Sequence, residues 1–195
     1  LSTLVDAQFI ERLVDPTKSN RPMYFPGDSI IRFHYAIIRP NQQRLRTRAA
    51  ASTFWSGVDA TFRSRVVGPT FEGMARHWAT QYATVPALAE PGTQIGSTTV
   101  SVDGGCYEID LVAALDDGDS PGERTITALG EAKSGEEITF SHLNKLERLR
   151  DAFGDRASDA TLLLFGTKFA KNLLSGTKDR SDVELVDLER LYKGG

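Results

Sequence analysis

The sequence predicts an α/β fold, a mixed β-sheet flanked by helices, preceded by a short strand–turn–strand segment and a helical stretch. Three observations carry this expectation. From residue 69 onward, apolar runs of strand length alternate with runs of helical spacing in the order helix, strand, strand, strand, helix, strand. Before residue 41, two short strand-like runs flank a turn-rich stretch. Between them, 42–84 carries apolar residues mainly at helical spacing. The chain of 195 residues is long enough for one good core and a small additional module. No apolar run approaches the roughly 18–20 residues that a membrane helix needs. No secretory leader opens the chain, which begins on Leu1 rather than Met; it reads as a cytoplasmic protein and as a piece of something longer.

Taken in order, LVDAQFIERLVD reads as a helix end running into a strand, with Phe9, Leu13 and Ile10 pointing inward. DPTKSNRP is an exposed turn, and PMYFPGD a second short strand. Asp28 is placed as an N-cap for DSIIRFHYAII, a helix stopped by Pro40, with Ile30, Phe33, His34, Ile37 and Ile38 on one face. These elements make up a first section, 1–40. A second, 41–67, is a helical linker broken at Gly57, and Gly68-Pro69 interrupts it. A third, 68–195, opens on the helix FEGMARHWATQYA, with Phe71, Met74, Ala75, Trp78 and Tyr82 spaced to share a face. TTVSV, GCYEIDLVAAL and TITALGEAK follow as strands, joined by a tight turn at 103–105 and a longer one at 116–123. ITFSHLNKLERLRDAF is an amphipathic helix, ATLLLFG a buried strand, TKFAKNLL a short helix, VELVDL a last strand and LERLYKGG a tail.

Charge is unevenly distributed along the chain. The net value is −3, so the molecule as a whole is no strong polyanion binder. Yet Arg39, Arg44, Arg46, Arg48, Arg63, Arg65 and Arg76 crowd a stretch that holds only Asp59 and Glu72. Such a stretch fits either a nucleic-acid contact, with Arg44, Arg46, Arg48, Arg63 and Arg65 on phosphates, or a solvated helical face. The single cysteine, Cys106, can form no internal disulfide and no cysteine-rich zinc site; at the start of a strand it reads as a packed, half-buried thiol.

The chemistry concentrates in EIDLVAAL and, about twenty residues on, ALGEAKSG. Residues two apart on a strand share a face, so Glu131 and Lys133 project together, and pairing of the two strands sets Asp110 beside Glu131. Two carboxylates held that close repel, and a divalent cation resolves the conflict: Mg²⁺ prefers one or two carboxylates together with water and phosphate oxygens. Lys133 would position the attacking water and offset charge at phosphorus. The alternative is an edge hairpin whose alternating charges face solvent.

The element order around this D…ExK spacing resembles the PD-(D/E)XK nuclease fold, also called restriction-endonuclease-like. The helix ahead of the strands supplies a further acid in many of its members, and Glu72 in GPTFEGMARHW is the match. The wider string RPMYFPGDSIIRFHYAIIRPN, GPTFEGMARHW, YEIDLVAAL, LGEAKSG and LLLFGTKFAKNL resembles the C-terminal region of bacterial and archaeal P-loop ATPases of the AAA superfamily, over nearly the whole chain. There a winged helix, here a partial one in 1–40, precedes a nuclease-like domain. The resemblance implies a catalytic set of Asp110, Glu131, Lys133 and Glu72, Mg²⁺ or Mn²⁺ on Asp110 and Glu131, DNA as partner, and an ATPase domain upstream in the same polypeptide. No G-x-x-x-x-G-K-[ST] occurs here, so ATP would bind only in that other domain. Ala132 stands where the family usually has a bulkier residue, and Ser134 lacks a neighbouring aromatic. No Gln-x-x-x-Tyr follows on the next helix, where His142, Asn144 and Lys145 stand instead. Three readings remain open: a metal-dependent nuclease, a catalytically inactive module that docks DNA or protein and regulates the ATPase, and a scaffold that oligomerises through helix 139–153.

Overall fold

The computed structural model describes residues 1–18, 22–116 and 120–194, and these form two compact units. The first comprises Leu1–Leu13 and Met23–Phe71. It opens with α1 (Ser2–Asp6), β1 (Ile10–Leu13) and β2 (Met23–Pro26), the strands antiparallel with Ile10 opposite Pro26 and Leu13 opposite Met23. Asp28 caps α2 (Ser29–Phe33), its carboxylate accepting the Ile30 N–H at 2.7 Å. The helical path then loosens into a π turn at His34–Ile38 and tightens into a 3₁₀ turn at Arg39–Asn41, where Pro40 stands.

Residues 42–67 form no single helix. A 3₁₀ turn (Arg44–Arg46), α3 (Arg48–Ser52), a second 3₁₀ turn (Trp55–Gly57), α4 (Asp59–Phe62) and a π turn (Arg63–Val67) succeed one another. The cause is local. Ser52 and Ser56 hydroxyls donate back to the Ala49 and Thr53 carbonyls at 2.8 and 3.0 Å and so compete with the helical ladder, while Thr47 starts a new helix by accepting the Ala50 N–H as the N-cap of α3. The stretch is also no linker between bodies: Phe54, Val58 and Val66 share one small core with Ile37, and Phe33 and Phe62 pack on it. Ile30, expected inside, is 73% exposed because it sits in the first turn of α2; His34 is exposed too, and Phe9 is 53% exposed. Gly68-Pro69 does not interrupt the helical path, which runs from the π turn into α5 with Gly68 at φ −54° and ψ −62°. Proline lacks the N–H and crowds the carbonyl four residues back, a conflict that the π turn just before it relieves.

The second unit comprises Val14–Pro22 and Glu72–Gly195. Helix α5 (Gly68–Gln81) belongs to it from Glu72 on, followed by α6 (Pro86–Ala89), β3 (Thr93–Val102), β4 (Gly105–Leu115) and β5 (Ile126–Lys133). After these come α7 (Phe140–Asp151), β6 (Thr161–Gly166), α8 (Lys171–Thr177), β7 (Val183–Val186) and α9 (Leu188–Lys193), the last lying in the expected tail. The sheet runs β3-β4-β5-β6-β7, antiparallel across its first three strands and parallel across the rest. Asp103 and Gly104, at φ of 52° and 76°, make the two-residue hairpin between β3 and β4, the backbone a primed turn demands. Part of the longer loop expected at 116–123, namely 117–119, lies outside the described residues.

One sheet face buries Leu129, Leu162 and Leu164 against Leu143, Leu146 and Leu149 of α7. On the other face Trp78 of α5 meets Phe165 edge-on at 5.6 Å and donates its indole N–H to the Arg190 carbonyl at 3.0 Å. Tyr82, past the end of α5, is exposed.

The open edge of β3 is covered by residues 14–18. Ser97 N–H donates to the Val14 carbonyl at 3.2 Å, and Asp15, Thr17 and Thr98 close a side-chain network. A Cβ on Gly96 would stand 2.1 Å from the Val14 oxygen, so only glycine admits this approach. Pro16 and Thr17 are accordingly buried, where the sequence reads as an exposed turn. Cys106 is exposed, not packed, because it lies near the hairpin end of β4. No helix among the described residues is long and apolar enough to cross a membrane.

Candidate functional site

The pairing of β3 with β4 contains one irregularity, and it falls on Asp110. Thr98 stands opposite Ile109 and Gly96 opposite Val112, so Asp110 and Leu111 together face Ser97 alone. A bulge of this kind bends the strand and redirects its side chains. It restores Val112 to the face that Ile109 already occupies, and both are buried in the α7 core.

On its other side β4 pairs with β5 only as far as Leu111 opposite Gly130. Beyond that point the strands no longer exchange ladder bonds, and Asp110 satisfies the groups left over. Its carboxylate Oδ2 accepts the Ala132 N–H at 2.9 Å, while its own carbonyl accepts from Arg76 Nη1, also at 2.9 Å. Gly130 is small by necessity: a Cβ there would stand 3.1 Å from Leu111 Cβ and 3.2 Å from the Phe165 ring.

At this parting of the strands the acids and amines gather. Lys133 Nζ lies 2.7 Å from Glu131 Oε1 and 3.7 Å from Asp110 Oδ2, so one ammonium touches both carboxylates. From α7, Lys145 Nζ bonds both Glu131 oxygens at 2.9 and 2.8 Å. Glu131 is 2% exposed and Asp110 7%. Glu72, on the second turn of α5, is half-buried and lies within the electrostatic field of both Asp110 and Lys133.

Each group's proton affinity follows from its neighbours. Burial pushes the Asp110 carboxyl up, the Ala132 N–H opposes this, and the Glu131 charge adds to it. Burial also raises Glu72, with the Asp110 charge next in size. Burial would raise Glu131 as well, but hydrogen bonds from Lys133 and Lys145 outweigh it and hold that carboxyl below its ordinary value. For Lys133, burial works downward, yet Asp110 and Glu131 hold the amine above its ordinary value. Lys133 is therefore an ammonium at neutral pH, able to orient and to neutralise charge but not to abstract a proton.

Asp110, Glu131 and Lys133 thus meet where β4 and β5 part, with Glu72 within their electrostatic reach. Arg44, Arg46, Arg48, Arg63 and Arg65 are all on the first unit and all exposed; Arg63 is paired with Asp59 at 2.8 Å. Two contributors escape a reading by motif. Lys145 reads as part of a solvated helix face, though its place beside inward-facing Leu146 and Leu149 marks the rim of the buried stripe. Arg76 reads as one more charge in a basic stretch, yet it is buried against β4. His142 accepts the Thr139 N–H at the start of α7 (3.1 Å).

Two buried carboxylates whose charge burial disfavours are oxygen donors suited to a hard divalent cation. Among the described residues, no group of three or more His, Cys, Asp or Glu side chains is arranged to hold a metal. In comparisons with family models, curated proteins and solved structures, the chain matches none.

Proposed function

We propose that the second unit is a metal-dependent nuclease domain of the PD-(D/E)XK type, hydrolysing DNA phosphodiester bonds. The observation that carries this reading is the convergence of Asp110, Glu131 and Lys133 where β4 and β5 part, with one ammonium touching both buried carboxylates. A sheet of three antiparallel strands followed by parallel ones, a helix on either side, and an acid on the preceding helix accord with it.

Asp110 and Glu131 would hold Mg²⁺ or Mn²⁺, which when bound supplies Lewis-acid charge at a phosphoryl oxygen. The chain's own residues do the rest. Lys133 orients the attacking water and neutralises charge developing on the nonbridging oxygens. Glu72, whose proton affinity is raised, accepts a proton at the margin of the site. Lys145 holds Glu131 in one orientation. On this reading the exposed arginines of the first unit contact the DNA backbone, and the partner domain is an ATPase upstream in the same polypeptide.

One observation favours a second reading, a catalytically inactive module that docks DNA or protein and regulates that ATPase. Both Glu131 oxygens are bonded by Lys145, and one also by Lys133, so the carboxylate is fully engaged by the protein itself. Cleavage of plasmid and branched DNA with Mg²⁺ or Mn²⁺ separates the two. The nuclease reading expects Glu131→Ala and Lys133→Ala to reduce the rate by about a hundredfold or more. Equal rates in wild type and both variants would assign any cleavage elsewhere, and a wild type without cleavage would favour the docking module.

A further inference from the structure

The first unit carries a chemistry of its own. It holds eight arginines and no lysine against four acids, while the whole chain is net negative. Three of these guanidinium groups lie over aromatic rings: Arg32 over Phe25 at 6.0 Å, Arg39 over Tyr35 at 5.3 Å and Arg44 over Phe54 at 5.7 Å. A ring beneath a guanidinium accepts none of its N–H donors, which stay available to phosphate.

Trp55 supplies the complementary element. It is 46% exposed although its ring packs on Phe62 at 5.0 Å, and Phe62 is edge-on to Phe33 at 5.8 Å. The indole is therefore anchored from below by an aromatic pillar that reaches the unit's core. Arg44 lies against the same turn, its Nη2 only 3.6 Å from where a Gly57 Cβ would stand. Arg46 and Arg48 follow in the adjoining turn and α3, both exposed, and no acid pairs with Arg44, Arg46 or Arg48 among the described residues.

We infer that the Trp55 turn binds a single strand of nucleic acid, a base stacking on the indole while Arg44, Arg46 and Arg48 neutralise the phosphates. A single strand fits better than a duplex because an exposed ring offers its face to an unstacked base, which a duplex does not present. The inference does not depend on catalysis by the second unit.

The test uses the full chain in EDTA, so that a failure of cleavage cannot mask binding. Labelled single-stranded oligonucleotides of mixed sequence, and the same sequences annealed as duplex, are titrated by fluorescence anisotropy. Tryptophan emission is followed in parallel. The chain has two tryptophans and Trp78 is buried, so quenching on binding reports Trp55. The expected results are quenching, preference for the single strand, and roughly tenfold or more weaker binding in Trp55→Leu. Trp55→Phe should recover part of the affinity. Leucine preserves apolar packing on Phe62, and circular dichroism checks the fold. Arg44→Ala, Arg46→Ala and Arg48→Ala together should flatten the slope of log K against log salt by about 2. Equal affinity for duplex, unquenched emission, or unchanged binding in Trp55→Leu would each overturn the inference.

Discussion

Asp110 pays for its position in stability, and the sign of that cost is testable. Burial raises its proton affinity in the folded chain, so the native state gains relative to the unfolded one as pH falls through the interval between the raised folded value and the ordinary unfolded value, about 4. Above that interval the ionised carboxylate is a net cost. Asn at this position stays neutral and can still accept the Ala132 N–H. Asp110→Asn should therefore melt higher than wild type at pH 7, by about 1 kcal/mol, with the difference shrinking toward pH 3. A lower melting point at pH 7 would mean that the Lys133 charge outweighs burial. Glu131 behaves in the opposite sense. Its carboxyl is held low by two ammonium groups, so the stability it contributes is present above the ordinary glutamate range and lost as pH falls through its lowered value.

At the scale of elements, the strap along β3 makes a sharp prediction. Gly96→Ala places a methyl group 2.1 Å from the Val14 oxygen, a backbone atom that can yield only by moving the strap. The expected cost is about 2 kcal/mol or more in thermal melts. Lys18, which donates to Thr99 Oγ1 at 2.9 Å, should become an early trypsin site in that variant. Unchanged melting and cleavage would show that the strap does not hold the edge.

The strands of this unit were legible because their cues are local: TLLLFG is too apolar for anything but a buried strand, and Asp103-Gly104 has the chemistry of a primed turn. The pairing of Asp110 with the Glu131–Lys133 face followed from the two-residue period. The bulge that aims Asp110 was not legible, since it depends on the register of β3 against β4. Nor was the breakup of 42–67, where hydroxyl groups bonding to nearby carbonyls defeat an apolar spacing that reads as helix. Lys145 is a matter of reach, a long side chain extending from a helix rim to a strand, and periodicity carries no information about that.

At the scale of the whole molecule, each unit has its own core and its own tryptophan, Trp55 in the first and Trp78 in the second. The cores differ greatly in size, so the two should not lose structure together. In guanidinium chloride, Trp78→Phe leaves emission from the first unit and Trp55→Phe leaves emission from the second. The expected outcome is a lower midpoint for the first. Superimposable curves would mean that the two cores melt as one.

The lysines around Glu131 bear on how the protein is assembled. Structural zinc domains collapse when their ion is removed, because nothing else neutralises the ligands. Here the polypeptide carries its own counterions, tethered to β5 and α7. Any ion arriving at this place would be a visitor to a finished architecture, not the pin around which that architecture forms.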